Sequence, residues 1–283
     1  MICIETITEL KEKIITAKGS GKSIGFVPTM GFLHEGHMAL ATKARAENDV
    51  VVMSIFVNPT QFGPNEDFES YPRDFERDST LAEQAGVDFL FLPKVDEMYP
   101  QDGGIVIHAG KQADVLCGAS RPGHFDGVLK VVTKLFHIVE PTRVYFGQKD
   151  AQQLAIIETL VRDYNFPLEI RRVETIREAD GLAKSSRNVF LSEQERMEAP
   201  ALNQAIKKGI TEYQTHLDAQ KAIEVTKREI EENTSGKIDY VELLSYPELT
   251  SPSFDDQDVI LAVAVHFEKA RLIDNQIMTS KGE

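Results

Sequence analysis

The run DVVVMSIFVNP at residues 49–59 constrains the fold most, because it is apolar almost without alternation. A strand with one face in water alternates apolar and polar side chains, whereas a strand of a parallel sheet covered on both faces reads as a continuous apolar run. Comparable segments recur at SIGFVP (23–28), VDFLFLP (87–93), RVYFGQ (143–148) and LEIRRVET (168–175). Helical patterns separate them at 37–48, 74–85 and 150–163. The strongest helical stripe is Phe125, Val128, Leu129, Val132, Leu135, Phe136 and Val139, spaced for one buried face. Strands alternating with helices imply an α/β protein with a doubly wound parallel sheet. IVIHA (105–109) reads as a short extra strand.

The pattern changes near residue 178. EADGLAKSSRN is polar and contains glycine, and helical sequence follows over roughly 193–234. Three strand candidates close the chain at 238–245, 259–267 and 270–278. The expected division is a Rossmann-like domain over 1–177 and a smaller C-terminal α+β domain over 178–283.

Of the 283 residues, 42% are hydrophobic and 27% charged, as in ordinary globular proteins. The net charge of -14 argues against a broad nucleic-acid or anionic-membrane surface. Cys3 and Cys117 are too few for a disulfide framework and too isolated for a zinc site. The opening MICIETITELKEK has no basic region followed by an apolar core, and the run 50–57 is too short to span a bilayer. The expectation is a cytoplasmic protein with neither a nucleic-acid nor a membrane partner.

In an open parallel sheet, ligands sit beyond the carboxyl ends of the strands. PTMGFLHEGH (28–37), NPTQFG (58–63) and GQKDAQQ (147–153) all fall there, and the polar hinge adds Lys184, Ser185, Ser186 and Arg187. His34 and His37 could clamp a metal, clamp a phosphate, or simply decorate a surface. A zinc helix needs HExxH, and HEGH is one residue short with no evident third ligand. A helix N-terminus after a strand already attracts anions, so two imidazoles there fit phosphate better. A cationic loop opposite such a site would complete it, with Arg as a planar fork and Lys as a point charge. Arg121 and His124, in RPGHF, are placed to meet phosphate where the next helix begins.

HEGH resembles the HIGH signature of the nucleotidyltransferase superfamily, and KSSR its mobile KMSKS signature. The likeness runs further. PTMGFLHEGH, NPTQFGPNEDFESYPR, RPGHFDGV, GQKDAQQ and SSRN, in this order, resemble the pantoate–β-alanine ligase family from about residue 23 to 190. That resemblance implies ATP contacts at Met30, Gly31, Phe32, Leu33, His34, Glu35, Gly36 and His37, with His37 as proton donor. It implies further ATP contacts at Gly147, Gln148, Lys149, Asp150, Ile176, Lys184, Ser185, Ser186 and Arg187. Gln61 would touch both pantoate and β-alanine, and Gln153 pantoate. Pro28, Thr29, Asn58, Arg121 and His124 complete the candidate substrate contacts. Asp78 matches an aspartate associated with Mg²⁺. Lys184 stands where many relatives carry an apolar residue, so its side chain inherits no role. A homodimer, and a second domain acting as a lid, are likewise what the resemblance implies.

The implied chemistry is adenylation of pantoate by ATP, then attack by the β-alanine amine to give pantothenate and AMP. An ionised carboxylate needs no base in the first step, only alignment and relief of charge repulsion. His34, His37, Lys149 and Arg187 are the candidate charge stabilisers. Gln61 and Gln153 can hold hydroxyls without trapping the carboxylate as an ion pair. Three rivals are a nucleotidylyltransferase of the same superfamily, a tRNA synthetase fragment and a non-catalytic nucleotide sensor.

Overall fold

The computed structural model describes all residues except 65, 67, 102, 103, 254–257 and 280–283. The chain begins with β1 (Ile2–Ile4), α1 (Ile7–Gly19), β2 (Ile24–Thr29), α2 (Glu35–Glu47) and β3 (Val50–Ile55). It continues through α3 (Phe75–Gln84), β4 (Phe89–Phe91), α4 (Val95–Met98), α5 (Leu116–Ser120) and α6 (His124–Val139). β5 (Arg143–Gly147), α7 (Ala151–Asp163), β6 (Glu169–Val173) and α8 (Glu193–Glu198) follow. α9 (Ala201–His216), α10 (Ala219–Asn233), β7 (Lys237–Tyr246), β8 (Asp258–His266) and β9 (Arg271–Thr279) complete it.

Two compact units result. The first comprises 1–109, 121–148 and 156–174; the second comprises 110–120, 149–155 and 175–283. The second unit therefore takes in two segments from before residue 175.

The first unit is built on a six-stranded parallel sheet of order β1-β4-β3-β2-β5-β6. β3 sits between two neighbours and is buried from Val50 to Ser54, which is why its sequence does not alternate. β6, at an edge, tolerates Glu169, Arg171 and Arg172. The predicted apolar stripe of α6 is buried from Phe125 to Val139. Each such side chain contributes about 1.5–3 kcal/mol on leaving water.

The strand order reverses at β2, where a ligand crevice is expected. Pro28 explains how the sheet opens there. Proline has no N–H to donate. β2 stays paired with β3 as far as Thr29, but its pairing with β5 covers only Gly25 and Phe26.

Residues 105–109 are not a strand. Ile105 and Val106 are exposed, and the Ala109 N–H donates to Asp126 Oδ1 at 2.8 Å while the His108 ring meets Asp126 Oδ2. The segment is hooked to the first turn of α6, so its β-branched residues find no neighbouring strand. β1 and α1, on which the motifs are silent, add an edge strand and a covering helix. The helical stretch 193–234 is three helices, broken at Pro200 and at Leu217, where φ is 54° before the Asp218 cap of α10.

In the second unit, β7, β8 and β9 form an antiparallel sheet. Leu202, Ile206 and Ile210 of α9 and Ile230 of α10 share a core with Leu243, Leu261, Val263 and Val265. The α9–α10 contact needs Gly209, since a Cβ there would lie 2.0 Å from Thr226 Oγ1. Among the described residues no helix is long and apolar enough to cross a membrane.

Candidate active site

Beyond β2 the chain turns sharply into α2. Gly31 and Phe32 both have positive φ, 88° and 50°. A Cβ at residue 31 would approach Ile55 Cγ2 at 2.8 Å and Asp78 Oδ2 at 3.1 Å. Asp78, only 1% exposed, holds this turn: its two oxygens accept the N–H groups of Phe32 and Leu33, each at 2.7 Å. Burial pushes its carboxyl above the usual range, and the hydrogen bonds from Leu33 and Phe32 offset part of that. Both oxygens are committed to backbone, and among the described residues no three His, Cys, Asp or Glu side chains are grouped to hold a metal. Asp78 therefore does not fit a direct Mg²⁺ ligand; it fits a loop anchor. Thr29 supports the same turn, donating its hydroxyl to Ser54 O at 2.7 Å and accepting the Gly31 N–H at 3.2 Å.

His34 caps α2. Its Nδ1 accepts the Gly36 N–H at 3.1 Å, and His37 Nδ1 accepts the His34 N–H at 3.3 Å, so two histidines form the capping box. An Nδ1 that accepts carries no proton, which assigns the hydrogen of each neutral ring to Nε2. The rings lie 4.1 Å apart, and Gly36 leaves room for the His34 ring, 2.8 Å from where its Cβ would be. The result is two Nε2–H donors beside the exposed Glu35 and the positive end of a helix.

Beyond β3, Asn58 organises a second cluster. Its Nδ2 donates to Gln61 Oε1 and to Gly127 O, both at 3.0 Å, while its Oδ1 accepts from Tyr99 OH, Thr60 N and Thr60 Oγ1. Gln61 Nε2 in turn donates to Met30 Sδ at 3.2 Å. Gly127 has to be glycine, because a Cβ would meet Thr60 O at 2.2 Å.

Arg121, in the turn before α6, and His124, the first residue of α6, join this cluster. The guanidinium forks onto Glu66 and also donates to His124 Nε2 at 3.1 Å, and His124 Nδ1–H donates to Gln61 O at 2.8 Å. Burial would raise the Glu66 carboxyl, but hydrogen bonding and charge from Arg121 outweigh it and hold it below the usual range. Arg121 is thus committed to protein groups and reaches Gln61 through His124. Gly147 and Gln148 lie at the end of β5, where a Cβ on Gly147 would meet nothing.

The remaining candidates belong to the second unit. Lys149 and Asp150 precede α7, with Lys149 Nζ 4.0 Å from Asp150 Oδ1, and Gln153 is half-buried on the first turn of α7. Ile176 and Lys184 close a small hairpin: Lys184 N–H donates to Ile176 O at 2.9 Å, and Arg177 pairs with Ala183. Lys184 Nζ forms an ion pair with Glu178 at 3.0 Å. Ser185 caps the following turn by accepting the Arg187 N–H, and Ser186 is buried. Lys149, Ser185, Asn188 and Asp274 line a small cavity here with Leu182, Ala183 and Leu202.

Residues 2–277 match the family model described as pantoate-beta-alanine ligase. The chain belongs to the pantoate–β-alanine ligase family. It is 62% identical to the pantothenate synthetase of Lysinibacillus sphaericus (strain C3-41), with 99% of both chains covered. It is 58% identical to that of Bacillus subtilis (strain 168), covering 97% of this chain and 96% of the relative. The crystal structure of pantothenate synthetase from Thermus thermophilus superposes with a TM-score of 0.91 at 43% identity, covering 98% of this chain and 99% of that one. A Francisella tularensis pantoate-beta-alanine ligase, complexed with β,γ-ATP and β-alanine, gives 0.81 at 35% identity over 98% of this chain and 97% of its own.

Motif reading alone misses the side chains that hold the motifs in place: Glu66, Tyr99, Thr60 and Gly127 around Gln61. Thr60, Glu66 and Gly127 lie inside the motifs and Tyr99 does not, but nothing local to any of them announces its partner.

Proposed function

We propose that this chain joins pantoate to β-alanine with ATP, through pantoyl adenylate, releasing AMP and pyrophosphate. The observation that carries the reading is the two-histidine cap at the start of α2, inside a chain matched to the ligase family from residue 2 to 277. In the first step an ionised oxygen of pantoate bonds to the α-phosphorus, and the bond to pyrophosphate breaks. In the second, the β-alanine nitrogen bonds to the carbonyl carbon, the bond to AMP breaks, and the nitrogen gives up a proton.

His34 and His37 present Nε2–H groups to phosphate within the Met30–His37 segment, whose Gly31, Phe32, Leu33, His34 and Gly36 N–H groups are held by Thr29, Asp78, His37 and His34 and so keep the turn in shape. Each well-placed donor to developing charge is worth roughly 10²–10³ in rate. Lys149 and Arg187 supply fixed positive charge, while Gly147, Gln148, Asp150, Ile176, Ser185 and Ser186 complete the nucleotide contacts. Lys184 contributes its backbone, since its ammonium is paired with Glu178. Gln61 and Gln153 hold pantoate. Pro28 and Thr29 shape the crevice wall, and Asn58, Arg121 and His124 act by fixing Gln61. Magnesium belongs to the nucleotide phosphates on this reading. We further read the protein as a cytoplasmic homodimer whose 178–283 region serves as a lid; sedimentation velocity tests the dimer.

The deciding experiment supplies ATP, pantoate and β-alanine and quantifies AMP and pyrophosphate. Labelled pyrophosphate should also exchange into ATP with pantoate alone. A nucleotidylated product without AMP indicates a nucleotidylyltransferase, and binding without turnover a sensor. Exchange that requires β-alanine would replace the adenylate with a concerted reaction.

A further inference from the structure

Two adjacent side chains of β9 reach both nucleotide segments of the second unit. Asp274 is 4% exposed, and its carboxylate takes a two-pronged contact from Arg177, 2.7 Å to Oδ2 and 2.9 Å to Oδ1. The same guanidinium donates to Gly181 O at 3.1 Å, so it ties one arm of the 176–184 hairpin to its turn. The return arm of that hairpin runs directly into Ser185, Ser186 and Arg187. Asn275, 8% exposed, donates from Nδ2 to Lys149 O at 2.8 Å, and its N–H meets Asp274 Oδ1 at 2.8 Å. Asp274 also lines the cavity that contains Lys149 and Ser185.

A buried ion pair is a poor source of stability compared with apolar side chains of the same volume, so its geometry is the better reason for it. The planar guanidinium fork fixes orientation in a way that an apolar contact or a lysine cannot. Lys149 and the Ser185–Arg187 loop are far apart in sequence and meet on one pair of strand positions.

We infer that Asp274 and Asn275 are positioning residues for adenylate formation, setting the spacing between Lys149 and the Ser185–Arg187 loop. The inference rests on the assignment of those two segments to the nucleotide. A displacement of about 1 Å at a charge stabiliser costs up to roughly 10²-fold in rate. The adenylate's reaction with β-alanine takes place at the acyl carbon, after the α-phosphorus has been substituted and pyrophosphate has left, so it is far less sensitive to this spacing.

The test measures pyrophosphate exchange and, separately, single-turnover amide formation from pre-formed pantoyl adenylate. Asp274→Asn and Arg177→Lys should each lower the exchange kcat at least roughly tenfold and raise KM for ATP, leaving KM for pantoate and the amide step in place. Arg177→Lys keeps the charge and loses only the fork, so it covers the case in which Asp274→Asn folds poorly. Asn275→Ala should act through Lys149 in the same direction. Equal loss in both half-reactions, with KM for ATP unaltered and a lowered unfolding midpoint, means a structural role and overturns the inference. Unaltered exchange in both Asp274→Asn and Arg177→Lys overturns it too. Arg187→Ala separates the premises: normal exchange with that variant removes the nucleotide assignment itself, whereas loss there beside normal Asp274→Asn removes only the strut.

Discussion

His34 and His37 each commit Nδ1 to the backbone of their own helix, which places the ring's donor hydrogen on Nε2. His37→Ala should therefore lower kcat by roughly 10²-fold while ATP still binds, as read from initial rates and nucleotide titration. Near-normal turnover would leave the imidazoles as caps alone. Asp78 makes the opposite case, a site-like carboxylate whose work is structural. Asp78→Asn keeps the shape but replaces one acceptor oxygen by an NH2 donor that faces a backbone N–H, at a cost of about 1–3 kcal/mol for the mismatched pair. Chemical denaturation should show that loss with or without magnesium in the buffer. A defect that excess Mg²⁺ repairs would restore the metal reading.

At the scale of elements, α6 and the turn at 59–61 meet through a missing side chain. Gly127→Ala places a methyl where Thr60 O stands and should shift the Asn58–Gln61 arrangement, at about 1–3 kcal/mol of strain. KM for pantoate should rise more than KM for ATP. Equal KM values for the mutant and the parent protein would mean that the turn yields without moving Gln61. The same contact shows what can be read in advance. Long periodic segments such as α6, and the unalternating β3, are visible because burial imposes a pattern on many residues at once. β1 spans three residues, and 105–109 has strand-like composition but no strand to pair with, because strand propensity depends on neighbours. Gln61 is recognisable from its motif, but its supports are not: Tyr99 reaches Asn58 across 41 positions and Arg121 reaches Glu66 across 55.

For the whole molecule, one buried phenol sets an alkaline limit. Tyr145 is buried and hydrogen-bonded to Glu47 and Asn48, and burial first, then Glu47, pushes its pKa up to about 12. A folded value above the ordinary 10 favours the neutral form, so its stabilisation is complete below pH 10 and lost as pH rises through about 12. Denaturant midpoints across that window should fall, and Tyr145→Phe should flatten the fall. An identical alkaline limb in the variant would assign the loss to other groups. His34, His37 and Gln61 belong to the first unit, and Lys149, Gln153 and Arg187 to the second.

The interleaving of the two units also dictates a timetable for the nascent chain. Synthesis runs at roughly 5–20 residues per second, and domains generally fold as units as they emerge. The first unit has all its strands once β6 is out. Residues 110–120 and 149–155 emerge early, yet Leu116, Ala151 and Ala155 find their apolar neighbours in Tyr246, Leu249 and Ile260. They must wait on the order of ten seconds for β7 and β8 to be made. During that interval the ribosome holds a chain with a finished sheet and two apolar segments awaiting cover, the period in which a chaperone has most to do.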